Sequence, residues 1–355
     1  MILDWAAEEL VLTEPLRTSQ ATMAGRAAVC VRLSHQGVDG FGEVVTSVRQ
    51  GLDVAGIDRR LRELVPWVRR FDDPAELLAT LPQLRARLAD ALAVAAAVDA
   101  AVHDLIATRD GVAVYELLAA PQWPAIPTAY TIGIVEPLAA ARVAADLVAA
   151  GFSVIKVKLG AADSAEDIAR VSAVRAAAPD VRLLVDPNGA WSAGLAVEVL
   201  GALARCDIDA VEQPVAAGNP QDLVHVSQRT GLPVIADEDA ATLADVCALP
   251  AGVAGINIKL AECGGLAAAL ELVAAAGAAG MDVMLGCLVA SSLGIAPAAH
   301  LSGLARWVDL DGHLLLAEDP WEGLGGRDGV LRCPDRCGLG VVRRQRGGNQ
   351  GSSIE

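Results

Sequence analysis

Val154-Ile155-Lys156-Val157-Lys158 is the stretch from which the rest of the chain can be ordered. β-Branched residues alternate with two lysines, so it reads as a strand. A period of two puts Lys156 and Lys158 on one side and Ile155 and Val157 on the other. Two ammonium groups on one face of an apolar strand are costly if that face is buried and dry. They make sense on a solvated edge strand, or on a face that looks into a reaction site, where one cation lowers the pKa of the other. The neighbouring segments choose between these readings.

From Pro127 onward, short apolar strands alternate with helices. The strands are predicted at 128–132, 153–158, 182–186, 210–213, 233–237, 255–259, 282–286 and 307–311. Helices are predicted near 137–150, 165–177, 192–204, 219–230, 240–247, 264–279 and 292–303. Such alternation implies right-handed βαβ units and a parallel sheet. Eight units in about 190 residues fit a (β/α)8 barrel. A doubly wound open sheet is the alternative, but it usually carries a Gly-rich turn after its first strand, and Gly133-Ile134-Val135 is not one.

The ionisable residues then fall at the C-terminal ends of successive strands, where a barrel places its reactive groups. Lys156 and Lys158 end the second strand, Asp186 the third, Glu212 the fourth, Asp237 the fifth and Lys259 the sixth; Asp309 and Asp311 end the eighth. The steps 158→186→212→237→259 are 28, 26, 25 and 22 residues, one βα unit each. Three carboxylates thus stand side by side with a lysine on each flank. Adjacent carboxylates repel unless protonated or bridged by a cation. An all-oxygen set with open positions suits Mg2+, which keeps waters and accepts substrate oxygens.

Upstream, residues 1–50 read as strands and turns: a strand at 28–33 returns through Gly37-Val38-Asp39-Gly40 into Phe41-Gly42-Glu43-Val44 as a hairpin. The polar segment 13–25 reads as a loop, either a simple connection or a mobile lid. Residues 55–120 read as helices at 56–68, 74–81 and 82–108, the last one Ala-rich with few breakers. Strands followed by a block of helices indicate an α+β domain. The expected organisation is therefore an α+β domain over 1–122, a (β/α)8-type barrel over 123–320, strand-like pieces at 329–331 and 340–342 that return to the N-terminal domain as part of 321–345, and a disordered polar tail at 346–355.

Composition narrows the function. Of 355 residues, 54% are hydrophobic and only 3% aromatic, so the core is built from small side chains. A net charge of −16 argues against nucleic acid or an anionic membrane surface as a partner, since both need a basic face. The apolar window 91–102 is too short to cross a bilayer, and the N-terminus lacks a secretory pattern. The seven cysteines are dispersed without a zinc-ligand spacing, and the expectation is reduced thiols in a cytoplasmic protein.

The set Lys156-Val157-Lys158, Val185-Asp186-Pro187-Asn188-Gly189-Ala190-Trp191, Val211-Glu212-Gln213-Pro214, Ala236-Asp237-Glu238, Asn257-Ile258-Lys259 with Gly264-Gly265, and Asp309-Leu310-Asp311-Gly312 resembles the enolase superfamily. Within it, the pattern is similar to the muconate-lactonising-enzyme subgroup, and most of all to its dipeptide epimerases. The resemblance extends to Glu14-Pro15-Leu16 and Gly40-Phe41-Gly42-Glu43, which look like parts of that family's capping domain. It implies an isomerase in which Asp186, Glu212 and Asp237 hold one Mg2+ per active site and the metal binds the substrate carboxylate. Removing the proton α to a carboxylate adds charge to that group, and a divalent cation stabilises the enediolate as it forms. Lys158, tuned by Lys156, would be the base on one face and Lys259 the base on the other, so that 1,1-proton transfer epimerises the C-terminal residue of a dipeptide. Asp309 and Asp311 would pair with its α-ammonium group. Asn188 is either a partner that orients a metal ligand or a plain turn residue.

The substrate pocket departs from the pattern in two places. The seventh strand end, with Cys287 and Leu288 facing substrate, has Ala290 where many relatives carry an acid. The loop tip around Thr18 and Ala21 carries no cation, which points to a neutral rather than acidic second residue unless Arg17 or Arg26 swings in. His313 could face substrate or the barrel rim, His300 reads as structural, and Glu238 and Asp239 read as caps of the following helix. The same scaffold could instead run the chemistry of an o-succinylbenzoate synthase or a muconate cycloisomerase, but those substrates leave Asp309 and Asp311 without a cation to hold. A non-catalytic homologue is the remaining alternative. The resemblance further implies a homo-oligomer.

Overall fold

The computed structural model describes residues 1–345 except 124 and 334, so the tail expected at 346–355 lies outside the described residues. An antiparallel sheet comes first, formed by strands Ile2–Arg17, Thr22–His35 and Val38–Val45 in that order. The segment 13–25, expected as a loop, is mostly strand; only residues 18–21 join the two long strands. Pairing resumes at Leu16↔Met23 after an irregularity between Val11 and Leu16, so the polar side chains of this stretch ride on a paired backbone. Polar composition suggested a loop because alternation is hard to see across a register shift.

Helices Val54–Val68, Pro74–Ala79, Leu81–Arg87 and Leu92–Asp110 pack on one face of that sheet. The single helix expected at 82–108 is thus two. Leu88 and Ala91, at the break, are both buried in this core, so packing rather than helix propensity sets the bend. Leu92–Asp110 is buried on nearly all sides, as its apolar character predicts.

The eight parallel strands are present: Tyr130–Ile132, Val154–Lys158, Arg182–Asp186, Ile208–Glu212, Val234–Ala236, Gly255–Ile258, Asp282–Leu285 and Trp307–Val308, each beside the next. The chain therefore has a (β/α)8-type barrel with an N-terminal α+β domain. The first and eighth strands form no continuous ladder. They are joined where Ala129 N–H donates to the Val308 carbonyl (2.8 Å) and Leu310 N–H to Thr128 Oγ1 (3.0 Å).

Side chains alternate in and out of this barrel. Ala129, Val154, Leu184, Ala210, Ile235, Met284 and Trp307 form a separate apolar cluster that plugs the floor. Trp307 needs the most space, and Gly255 provides it: a Cβ there would lie 2.9 Å from the indole. The C-terminal segment returns to other parts of the molecule. Val330–Arg332 pairs with Ala125–Pro127, and Val342–Arg343 pairs with Trp321–Glu322. Arg343 ion-pairs with Glu8 at 2.6 Å, and Trp321 packs edge-on against Phe41.

Candidate active site

Two residues beyond five of the seven floor residues, the same inward parity brings a reactive group. Val154 leads to Lys156 and Lys158, Leu184 to Asp186, Ala210 to Glu212, Ile235 to Asp237, and Trp307 to Asp309 and Asp311. Asn257 and Lys259 continue the series on the sixth strand. Asp186, Glu212 and Asp237 are at most 2% exposed, as is Lys156. The structure thus brings every lysine and carboxylate expected from the strand ends into one mouth.

Charge pairing makes that burial tolerable, because each unpaired buried ion would cost several kcal/mol. Lys156 Nζ lies 2.5 Å from Glu212, 2.7 Å from Asp309 and 3.2 Å from Asp186. Burial disfavours its charge, but Asp309, Glu212 and Asp186 outweigh burial and hold its pKa well above the usual lysine value. Lys158 Nζ bonds Asp186, and Lys259 Nζ bonds Asp237. Lys259 is likewise shifted up: burial opposes the charge, and Asp237, Glu262 and Glu212 prevail. Asp186 is shifted down, because Lys158 and Lys156 overcome its burial. Glu212 moves up through burial and the nearness of Asp186. The Lys156 ammonium is therefore held chiefly by the carboxylates around it.

The acids fit a small, hard divalent cation. The donor set is all oxygen, and Asp237 Oδ1 is buried with no hydrogen-bond partner. Glu212 Oε2 likewise has no hydrogen bond and only the Lys156 ammonium beside it. As placed, each carboxylate is turned onto an ammonium, and among the described residues no three His, Cys, Asp or Glu side chains form a ready-made cage. The fit thus lies in donor chemistry and the unpartnered oxygens.

Around the acids stand groups that aim them. Asn188, at φ +50°, donates Nδ2–H to Asp186 Oδ2 (3.2 Å) and its backbone N–H to Oδ1 (2.8 Å). Asn257 Nδ2 donates to Glu212 Oε1 (2.7 Å). Gln213 Oε1 accepts the Asp237 N–H (2.9 Å), while its Nε2 donates to Asp239 (2.8 Å). Sequence reasoning assigned no role to Asn257 or Gln213. Their parity and adjacency to the acids were the available signal.

Asp309 and Asp311 face the same mouth. Asp311 Oδ2 accepts the Thr131 N–H at 2.6 Å, and burial followed by the charge of Asp309 pushes its carboxyl up to about 7. Asp309 Oδ1 is buried and unpartnered. Above them lies a cavity of about 1060 Å3 lined by Thr18, Ala21, Cys287, Leu288, Asn188 and the three lysines, together with Leu16, Met23, Arg26 and the segment 46–49. The short loop 18–21 is tied to the barrel: Ser19 Oγ donates to the Pro187 carbonyl (2.9 Å) and Gln20 Nε2 to that of Asn188 (3.2 Å).

Two expectations for nearby residues are corrected, and an open one is resolved. Glu238 lines the cavity and pairs with Arg49 at 3.3 Å, and Asp239 accepts from Gln213 and Gly218, so neither caps a helix. Thr242 caps Leu243–Ala248 instead. His313 is turned away toward the C-terminal segment, with Nε2 2.9 Å from the Gly325 carbonyl, and does not line the cavity. His300 is buried and structural, as expected.

Comparison with known proteins gives consistent matches. Residues 139–346 match the "Enolase C-terminal domain-like" family model, and residues 4–119 match "Mandelate racemase / muconate lactonizing enzyme, N-terminal domain". The chain is 33% identical over 316 residues to the L-Ala-D/L-Glu epimerase of Bacteroides thetaiotaomicron, covering 89% of this chain and 81% of that protein. It is 33% identical over 337 residues to the hydrophobic dipeptide epimerase of Roseobacter litoralis, covering 92% and 95%. A structure of the dipeptide epimerase from Enterococcus faecalis complexed with Mg and the dipeptide L-Leu-L-Tyr superposes with a TM-score of 0.90 at 29% identity, over 96% of this chain and 99% of that one.

Proposed function

Because this chain belongs to the mandelate racemase / muconate lactonizing enzyme family of the enolase superfamily, as a dipeptide epimerase-like isomerase, we propose that it is a Mg2+-dependent epimerase of dipeptides that acts at the α-carbon of the C-terminal residue. One observation carries this reading. Lys158 and Lys259 rise from the second and sixth strands on either flank of three buried carboxylates, and Asp309 and Asp311 face the same cavity.

In this mechanism the first residue's α-ammonium pairs with Asp309 and Asp311, whose crowded charge it relieves. That contact fixes the peptide so that the second α-carbon lies between the two lysines. One lysine, as the neutral amine, takes the α-proton; the other, as the ammonium, returns a proton to the opposite face. One C–H bond breaks and one forms, so the configuration inverts and no net proton is consumed. For the other epimer the two lysines exchange roles. Asp186, Glu212 and Asp237 would hold Mg2+, which would supply positive charge to offset the negative charge developing on the substrate carboxylate. Asn188, Asn257 and Gln213 keep the acids aimed.

The loop tip at Thr18 and Ala21, flanked by Leu16 and Met23, carries no cation, which supports a neutral second residue; of the two arginines that could supply a charge, Arg17 does not line the cavity and Arg26 does. The seven unpaired thiols support a cytoplasmic setting, and no described helix is long and apolar enough to cross a membrane. A homo-oligomer is part of the same reading.

The test is incubation of the purified protein with Mg2+ and a library of L,L-dipeptides in D2O, read by mass spectrometry. Gain of one deuteron in a subset of dipeptides with a free amino terminus is expected. No mass gain in any dipeptide would overturn the proposal.

A further inference from the structure

Five cations line the cavity: Arg26, Arg49, Lys156, Lys158 and Lys259. Four of them are matched by carboxylates. The three lysines hold Asp186, Glu212, Asp237 and Asp309, and Arg49 holds Glu238 and Glu262. Arg26 has no carboxylate within ion-pair distance among the described residues. Its one recorded hydrogen bond runs from Nη1 to the Val289 carbonyl at a long 3.4 Å. Its Nε is buried without a partner.

A guanidinium offers five N–H donors in a planar fork. Leaving most of them unused in a partly dry site is unfavourable, and burial duly lowers the Arg26 pKa. The loop that Arg26 touches, 286–292, contains no acid that could neutralise it. A fold needing only a tether to Val289 could use a neutral donor.

Its place in the cavity says what would match it. Arg26 sits on the strand Thr22–His35 and reaches the seventh strand end at Val289. Leu288 and Ala290, on either side of Val289, pack against Gly312, the residue after Asp311, and Arg26, Val289, Asp309 and Asp311 all line the cavity, so these groups share one end of it. Asp311 forms no ion pair among the described residues, and Asp309 Oδ1 is unpartnered. That end thus presents an unmatched cation beside an acid pair short of positive charge. A group bearing an ammonium and a carboxylate a few bonds apart complements both.

We propose that Arg26 is a specificity-determining residue that pairs with a side-chain carboxylate on the first residue of the dipeptide, so that aspartyl and glutamyl dipeptides are the preferred substrates. This rests on the epimerase reading above, in which Asp309 and Asp311 hold the first residue's ammonium and the C-terminal carboxylate goes to Asp186, Glu212 and Asp237. It leaves the second residue neutral.

The experiment compares kcat/KM for L-Glu-L-Leu with L-Gln-L-Leu, and for L-Asp-L-Leu with L-Asn-L-Leu, in the wild type and in Arg26→Met and Arg26→Gln. At least one acidic dipeptide is expected to exceed its amide by about ten- to a hundredfold in the wild type, mostly through KM. Both variants should erase that ratio by lowering kcat/KM for the acid far more than for the amide. No preference for either acidic dipeptide in the wild type overturns the inference without any variant. An equal fall for acid and amide in both variants also overturns it, because Arg26 is then only a tether. If L-Leu-L-Leu or L-Ala-L-Leu is epimerised and acidic dipeptides do no better, this inference alone fails; if no dipeptide exchanges at all, the epimerase reading fails.

Discussion

Lys158 and Lys259 differ in their partners but share one arrangement: each ammonium lies on its own carboxylate at the end of an inward-facing strand. Two single-base variants therefore separate the two half-reactions. Lys158→Ala and Lys259→Ala should each lower epimerisation by about a thousandfold. Each should still exchange the α-proton of one epimer, the one whose proton faces the surviving lysine. Proton NMR of both epimers in D2O reads this directly, and exchange of both epimers by either variant would contradict a two-base device. These residues were legible because a strand period of two, applied to Lys156-Val157-Lys158 and to the acids one barrel unit apart, needs no tertiary information. The contacts between them were not legible. That Lys156 bridges Asp309, Glu212 and Asp186 depends on strands that lie far apart in the chain.

The seventh strand shows how one element controls the site without contributing a charge. Gly286 follows Met284 with the same inward parity, and a Cβ there would fall well inside contact distance of the Asn257 amide. Gly286→Ala should push Asn257 off Glu212. The expected result is a loss of about 1–3 kcal/mol of stability, measured by urea denaturation, with weaker Mg2+ binding by calorimetry. Unchanged stability and metal affinity would show that the amide can relax elsewhere. Other elements were read less well from sequence. The two long N-terminal strands were shortened, because the register irregularity between Val11 and Leu16 hides their alternation. The cap of Leu243–Ala248 was placed on Glu238 and Asp239, whereas those acids turn to Arg49, Gln213 and Gly218 once the strands assemble.

Across the whole molecule, His300 joins three separate segments. Its Nδ1 accepts the Tyr115 N–H (3.2 Å), so Nε2 carries the proton and donates to the Leu339 carbonyl (3.2 Å), while Trp123 packs edge-on. Burial pushes its pKa down from 6.5 to about 4. The folded pKa lies below the unfolded one, so the unfolded chain takes up a proton first as pH falls. Stability from this residue is complete above pH 6.5 and is lost between 6.5 and about 4, by about 3 kcal/mol. Burial raises Glu43 to about 7 and Asp104 to about 6, and these act in the opposite direction. The prediction is therefore a difference: relative to His300→Asn, the wild type should lose stability between pH 7.5 and 4.5 in urea titrations. Parallel pH profiles for the two proteins would refute it.

By itself the sequence determined the alternation of strands and helices, the inward parity of the reactive residues and their one-unit spacing. Those properties follow from local periodicity and from chain length per βα unit. Only the tertiary structure decided which charges meet. Lys156 turned out to serve three carboxylates, Glu238 to face the cavity, His313 to face away, and Arg26 to stand without a carboxylate partner among the described residues. Pairing of buried charges is a long-range property: it depends on distances between side chains from different strands and on the water excluded between them, neither of which is written in neighbouring residues.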